Sequence, residues 1–121
     1  MSNHFLHWVP AFVYAALIFF LSHQSDPPGS EYSPDYVTHF LEYGFFALTL
    51  VWGATSGFPR HLTLRGAIFA WTVAALYALS DEFHQSFVPN RDASFIDVTA
   101  DVAGAVTCLG VIYLMRKGRS R

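Results

Sequence analysis

Histidine and carboxylate side chains recur at helical spacing in this chain of 121 residues. They open or close three strongly apolar segments, and the set comprises Asp35, His39, Glu42, Asp81, Glu82, His84, Asp97 and Asp101. Positions three, four or seven residues apart share one face of a helix, so each segment would present a polar stripe at one end. Ionisable groups at the edge of membrane-length helices are costly and usually mark a functional site. Imidazoles and carboxylates there would transfer protons or bind a metal ion.

Two chemistries and one structural role are compatible with this set. In metal-free acid–base chemistry, an Asp would orient His39 or His84 as general base, and Arg91 would hold an anionic head group. In metal chemistry, the candidate ligands of a divalent transition metal such as zinc or manganese are His39, His84, Asp81 and Asp97. Their spacing differs from the H-E-x-x-H motif of zinc proteases. Alternatively, the polar side chains clamp the helices, through interhelical hydrogen bonds that average about 0.6 kcal/mol in membranes.

The side chains divide into two groups by expected role. The catalytic candidates are His39, His84, Asp81 and Arg91. The residues expected to bind the ligand or to support the catalytic groups are Asp35, Glu42, Tyr43, Glu82, Gln85, Asp97 and Asp101. Glu82 projects away from His84 by helical spacing, so a hydrated surface carboxylate is the alternative for this residue. The single cysteine, Cys108, excludes an intramolecular disulfide, and its place near the opposite end of its segment argues against a thiol nucleophile.

Four apolar stretches must position these residues, at about residues 8–22, 36–55, 66–86 and 95–115. The chain is 53% hydrophobic and 13% charged, whereas soluble domains carry about 25% charged residues. Because about 20 residues cross the ~30 Å hydrocarbon core, the last three stretches are long enough and the first is marginal. The sequence therefore predicts one all-α domain over residues 1–121, a membrane-embedded bundle of four transmembrane helices.

Helix-breaking residues separate the four stretches. Residues 26–34 read D-P-P-G-S-E-Y-S-P, a loop by composition, and residues 33–35 carry the signals of a helix start. Residues 56–59 end the second stretch, and residues 89–90, Pro-Asn, form the turn between the third and the fourth. Within the fourth stretch, Gly104 would let a neighbouring helix approach closely.

Positive charges predict the orientation of the helices in the membrane. Six of the seven Lys and Arg residues lie at the second loop or in the C-terminal tail, namely Arg60, Arg65, Arg116, Lys117, Arg119 and Arg121, and only Arg91 lies on the other side. Since positively charged loops stay cytoplasmic, both termini are expected in the cytoplasm and the polar cluster on the periplasmic or extracellular side. The first seven residues contain no Lys or Arg, which argues against a cleaved signal peptide.

Three motifs carry a resemblance to a known family. They are F-L-S-H-Q-S at 20–25, D-Y-V-T-H-F-L-E-Y at 35–43, and D-E-x-H-Q-x-x-x-P-x-R-x-x-x-x-x-D at 81–97. From about residue 20 to residue 110, the chain resembles the VanZ family of small bacterial membrane proteins. Residues at the family's motif positions are Asp35, His39, Tyr43, Asp81, Glu82, His84, Gln85, Pro89, Arg91, Asp97 and Gly104.

Two residues depart from the family pattern. Tyr36 stands where the family often has Lys, which leaves Arg91 more isolated as a cation near the cluster. Asp101 stands where Asn is common, which adds a carboxylate.

The resemblance implies a four-helix integral membrane protein of the bacterial cytoplasmic (inner) membrane. The namesake of the family is associated with low-level resistance to the glycopeptide antibiotic teicoplanin, without a known reaction. The resemblance thus implies a cell-envelope context, whereas antibiotic resistance need not extend to this member.

Three functions are compatible with the cluster. The first is a membrane-embedded hydrolase or transferase that acts on an envelope lipid or a lipid-linked intermediate. The second is a non-catalytic binder of a lipid, a glycopeptide or a partner protein, which would use the same cleft. The third is a small proton-coupled transporter. It would need a dimer, because the inner halves of the helices lack ionisable groups.

The expected partners follow from the same features. Four helices of about 20 residues bury little core, which favours a homo-oligomer within the lipid bilayer. Nucleic-acid binding is not expected, because the basic tail is short and is better explained as an anchor at the cytoplasmic face.

Overall fold

The computed structural model of the chain describes residues 3–28, 31–32, 34–57 and 62–116. A 3₁₀ turn, His4–Trp8, precedes four α-helices: α1 Val9–Ser22, α2 Asp35–Ala54, α3 Leu64–Gln85 and α4 Phe95–Arg116. No β-strand occurs in the described ranges, so the predicted all-α class is confirmed. The helices coincide with the four apolar stretches to within two residues at each end. Several residues used above as helix-end or orientation signals lie outside the described ranges, namely Ser33, Pro59, Arg60, Lys117, Arg119 and Arg121.

Local sequence explains where the helices begin and end. The hydroxyl of Thr63 accepts a hydrogen bond from the backbone N–H of Gly66 at 3.1 Å, so α3 begins two residues before the predicted start. The chain leaves α2 through Ser56 and Gly57, which both have positive φ. Asn90 also has positive φ, 63°, and this conformation is one that Asn tolerates in turns.

The first helical segment is longer than the sequence predicts. The 3₁₀ turn continues directly into α1, which gives 19 helical residues over His4–Ser22. This segment and α4 are the two helices in the described ranges that are long and apolar enough to cross a membrane. Helices α2 and α3 are long enough but fall short in apolar composition, and both carry ionisable residues of the polar stripes at their ends.

Helix α2 is the centre of the assembly. It packs against α1, α3 and α4, and α3 packs in turn against α1 and α4. Their shared core contains the buried Phe46 and Leu50 of α2, and a stripe of alanines on α3 lies among the buried residues, namely Ala70, Ala74 and Ala78. Small side chains at every fourth position let α3 lie close to its neighbours.

Helices α2 and α4 cross with their backbones in close contact. A Cβ atom on Gly104 would overlap the backbone carbonyl of Phe40, and a Cβ on Gly44 would lie 3.4 Å from the carbonyl oxygen of Gly104. The expected close approach at Gly104 is therefore confirmed. The crossing lies one residue after His39 and three residues after Asp101, so it brings the polar stripes of the two helices together.

Many large apolar side chains are exposed on the outside of the molecule. Each α-helix presents phenylalanines to its surroundings, among them Phe12, Phe45, Phe69 and Phe95. Soluble monomers rarely expose contiguous apolar surface of this kind. Polar side chains are instead buried at one end of the helices, which is the distribution expected of a protein surrounded by lipid.

Candidate functional site

Buried polar side chains collect at one end of the helix assembly, where α1 and α3 end and where α2 and α4 begin. The buried polar set comprises Ser22, His39, Asp81, Glu82, Gln85, Asp97 and Asp101. All four helices contribute, since α1 supplies Ser22. Because the helices alternate in direction, residues at the end of one helix lie level with those at the start of the next.

The centre of the cluster is a pair formed by His39 of α2 and Asp101 of α4. The His39 Nδ1 atom lies 2.7 Å from Asp101 Oδ1. Asp101 is fully buried, and the close α2–α4 crossing at Gly104 holds the two residues together. A carboxylate on one imidazole nitrogen fixes the orientation of the ring and the role of the other nitrogen. The sequence predicted that an Asp would orient a histidine, and in the structure the partner of His39 is Asp101.

A second hydrogen-bond network surrounds Asp81 at the end of α3. The hydroxyl of Ser22 donates to Asp81 Oδ1 and accepts from Gln85 Nε2, the latter at 2.6 Å. The Tyr43 hydroxyl donates to the other oxygen of Asp81, at 3.3 Å. Ser22 is a member of the cluster for which the sequence predicted no role. Its place in the motif at residues 20–25 is the signal that would have pointed to it.

His84 lies apart from the central pair. Its ring stacks on Phe19 with centroids 4.6 Å apart and on His23 with centroids 5.3 Å apart. The Nε2 atom of His84 lies 3.2 Å from Nδ1 of His23. His84, at the end of α3, thus packs against the end of α1. The two histidines proposed as alternative general bases, His39 and His84, therefore lie in different environments.

The candidate metal ligands do not form one group. In the described part of the chain, two sets of three residues bring a ligand atom of each within 4.8 Å of the others, namely Asp35–His39–Asp97 and His39–Glu82–Asp101. Both sets contain His39, whereas His84 and Asp81 belong to neither. The four-residue set predicted from the sequence is therefore not assembled.

Glu82 is buried, so its interpretation as a hydrated surface carboxylate is wrong. One oxygen, Oε1, accepts a hydrogen bond from the backbone N–H of Ser94, just before α4. The other oxygen, Oε2, is buried without a hydrogen-bond partner among the described residues. Helical spacing predicts that Glu82 and His84 lie on different faces of α3. It does not predict that the loop before α4 covers the face that carries Glu82.

A cavity of about 60 Å³ opens beside the central pair. Its polar lining comprises Ser22, Asp35, Thr38, His39, Glu42, Asp81, Gln85 and Arg91. This volume holds a few water molecules or one small polar group. Arg91 is the only Lys or Arg in the lining, against three carboxylates. The cavity therefore suits a ligand that offers a negative group to Arg91 and a positive group to the carboxylates.

Comparison with known proteins identifies the family. A family model described as VanZ/LLP1 matches residues 5–116, nearly the whole chain. The chain belongs to the VanZ/LLP1 family. The resemblance inferred from the motifs is confirmed, although no curated protein and no solved structure matches the chain significantly. Membership supports a VanZ-type cell-envelope protein, and the two apolar helices together with it indicate a membrane protein.

Two residues that depart from the VanZ pattern have distinct places in the structure. Asp101 is the partner of His39, so the additional carboxylate lies at the centre of the cluster. Tyr36 is exposed and lines a groove on the outer side of α2. Tyr36, expected from the sequence to depart from the family pattern, therefore contributes an aromatic ring to an apolar surface.

This VanZ chain also carries an apolar groove between α2 and α4. A section of about 600 Å³ runs from Tyr36 and Ile96 to Phe40 and Ala103. A second section of about 360 Å³ shares Phe40 with the first and continues toward the other end of the helices. The groove begins level with the polar cluster and extends about 18–24 Å at 1.5 Å per helical residue. This length exceeds the depth of one membrane leaflet, about 15 Å.

Proposed function

We propose that this VanZ/LLP1 protein is a multi-pass protein of the bacterial cytoplasmic membrane, and that α2 and α3 also cross the bilayer. The polar cluster then faces the periplasm or the cell exterior. The distribution of Lys and Arg along the sequence supports this orientation. The exposed phenylalanines on every α-helix support contact with lipid on all sides.

We infer that the cluster binds the head group of an envelope lipid and acts on it chemically. The observation that carries this proposal is that His39, which lines the cavity, is held by the buried Asp101 behind it. An imidazole held by a carboxylate on one nitrogen presents its other nitrogen in a fixed direction. Acid–base chemistry and metal-assisted chemistry can both use such a group.

The apolar groove between α2 and α4 favours a lipid over a soluble ligand. It begins at Tyr36 and Ile96, the immediate neighbours of Asp35 and Asp97. An acyl chain in the groove would place a head group at the level of the polar cluster. Within the cavity, Arg91 would bind a phosphate or carboxylate of that head group.

Retention of lipid by purified variants tests the binding part of the proposal. The wild type, purified in mild detergent, should retain one class of anionic or zwitterionic lipid, identified by mass spectrometry of the extract. Arg91→Gln should lose at least half of this lipid, because it removes the cation in the cavity lining. The matched control is Arg65→Gln, an exposed Arg at the opposite end of α3, which should retain the lipid. Equal retention by the two variants would contradict the assignment of Arg91.

Conversion of the retained lipid tests the chemical part. Wild type and His39→Gln, both in nanodiscs made from a total bacterial lipid extract, are compared by mass spectrometry before and after incubation. A lipid product formed by wild type alone supports catalysis at His39. Retention of lipid without a product in either sample identifies the alternative function, a non-catalytic lipid binder.

Transport has less support than either of these functions. Beyond Tyr43 the described core of α2 consists of apolar side chains, including Phe46, Ala47 and Leu50, and Ala74 faces them from α3. A proton path would require polar groups along this half of the helices.

A further inference from the structure

We propose that Glu82, Asp101 and His39 bind a divalent metal cation inside the polar cluster. They come from three helices: Glu82 from the end of α3, Asp101 from α4 and His39 from α2. One ligand atom of each lies within 4.8 Å of those of the other two. The relative exposures of the three residues are 8%, 0% and 3%, so all three are buried.

Two carboxylate oxygens of this set are available to bind a cation. Glu82 Oε2 and Asp101 Oδ2 are both buried without a hydrogen-bond partner in the described part of the chain. The other oxygen of each carboxylate is occupied, by the Ser94 N–H and by His39 respectively. A buried oxygen without a partner is costly, and two neighbouring carboxylates add mutual repulsion. A divalent cation would satisfy both oxygens and neutralise both charges.

The ligand types indicate which cations fit. One imidazole and two carboxylates form a set that zinc and manganese accept in proteins. Three protein ligands leave at least one coordination position open for water or a small polar group. The inference deepens the proposed function, because the lone pair of His39 that otherwise accepts a proton would bind the cation instead.

The second set of candidate ligands, Asp35–His39–Asp97, is the competing site. Asp35 is exposed, and neither Asp35 nor Asp97 has a buried oxygen without a partner. Exposed carboxylates are satisfied by water, so this set has no comparable need for a cation. His39 is common to both sets, so a substitution of His39 would affect either site. A substitution of Asp35, which belongs to the competing set alone, distinguishes the two sites.

Metal analysis of purified variants tests the proposal. The protein is purified in detergent without chelator, reconstituted with zinc or manganese, and analysed by mass spectrometry for metal per chain. Wild type should hold about one equivalent. Glu82→Gln and Asp101→Asn should lose it, since even outer-shell changes weaken metal sites by about 10–100-fold. Asp35→Asn should retain it, and so should Asp92→Asn, an exposed control that removes the same charge.

The two ligand variants are chosen to preserve the fold. Gln at position 82 still accepts from the Ser94 N–H, and Asn at position 101 still faces His39 with an oxygen. Thermal unfolding supplies a second measurement. The metal should raise the melting temperature of wild type and of Asp92→Asn, but not that of Glu82→Gln.

Two results would overturn the metal site. One is a folded wild type that holds no metal after reconstitution. The other is retention of the metal by both Glu82→Gln and Asp101→Asn; its loss from Asp35→Asn would then identify the competing site. Lipid retention measured on the same preparations separates the two proposals. Lipid without metal refutes the cation alone, whereas metal without lipid refutes the lipid function alone.

Discussion

At the scale of single residues, the cluster is built from pairs whose partners lie on different helices. His39 depends on Asp101, and Asp81 depends on Ser22 and Tyr43. Each pair buries polar atoms that would be left without a partner if one member were removed. Interhelical hydrogen bonds in membranes are individually weak, so the larger effect of a substitution is expected from the atom left unpaired.

Ser22→Ala tests this expectation. The substitution leaves Asp81 Oδ1 and Gln85 Nε2 without their shared partner in a buried place. We expect a loss of about 1–3 kcal/mol in the free energy of unfolding, measured by denaturant titration in mixed micelles. Ser86→Ala is the control, because the exposed hydroxyl of Ser86 donates only to the backbone carbonyl of Phe83. This control should change the free energy by less than about 0.5 kcal/mol. Equal losses in both variants would show that the Ser22 network contributes no stability.

At the scale of helices, the α2–α4 crossing determines whether the central pair forms. The backbones meet at Phe40 and Gly104, without space for a Cβ atom. Asp101 lies almost one turn before Gly104 on α4, and His39 directly precedes Phe40 on α2. Separation of the two backbones would therefore lengthen the distance between His39 Nδ1 and Asp101 Oδ1.

Gly104→Ala should separate the two helices. The added methyl group overlaps the Phe40 carbonyl, and such overpacking typically costs about 1–3 kcal/mol of stability. Gly110→Ala on the same helix is the matched control, since its Cβ would meet no atom within 4 Å. Alanine is the better helix former, so this control should be neutral or stabilised by up to about 1 kcal/mol. Both the free energy of unfolding and lipid retention should fall for Gly104→Ala alone. An unchanged Gly104→Ala protein would show that the crossing can relax without cost.

At the scale of the whole molecule, the uneven distribution of charge is the main guide to orientation. Apolar side chains cover the exposed surface of the helices, and the buried polar side chains lie at one end. Most Lys and Arg residues belong to the second loop and the C-terminal tail of the sequence. The positive-inside rule therefore underlies the proposal that the end carrying the cluster faces away from the cytoplasm.

Cysteine labelling in intact cells tests this orientation. Asp92→Cys places a thiol in the third loop, and Leu64→Cys places one at the start of α3, where the side chain is exposed. A membrane-impermeant maleimide should label the first variant in intact cells and the second only after permeabilisation. The unmodified chain, whose Cys108 is partly buried, measures the background. The reverse pattern would place the polar cluster in the cytoplasm.

The sequence by itself determined the elements and the level of the polar residues along them. Apolar stretches and helix-breaking residues predicted four helices close to the observed bounds, because these signals are local. Spacing correctly placed the ionisable groups at one end, and Gly104 correctly indicated a close helix approach. Motif residues at 20–25, 35–43 and 81–97 were enough to indicate the family.

Only the tertiary structure decided which polar side chains meet. Helical spacing gives the direction of a side chain within its own helix, but not the neighbour of that helix or its rotation in the assembly. Packing of the helices pairs Asp101 with His39 and places His84 beside His23 at the end of α1. Glu82 was buried by the start of α4, a contact between segments that no local pattern encodes. Chemistry at this site depends on such contacts between helices, and these form only when the helices pack.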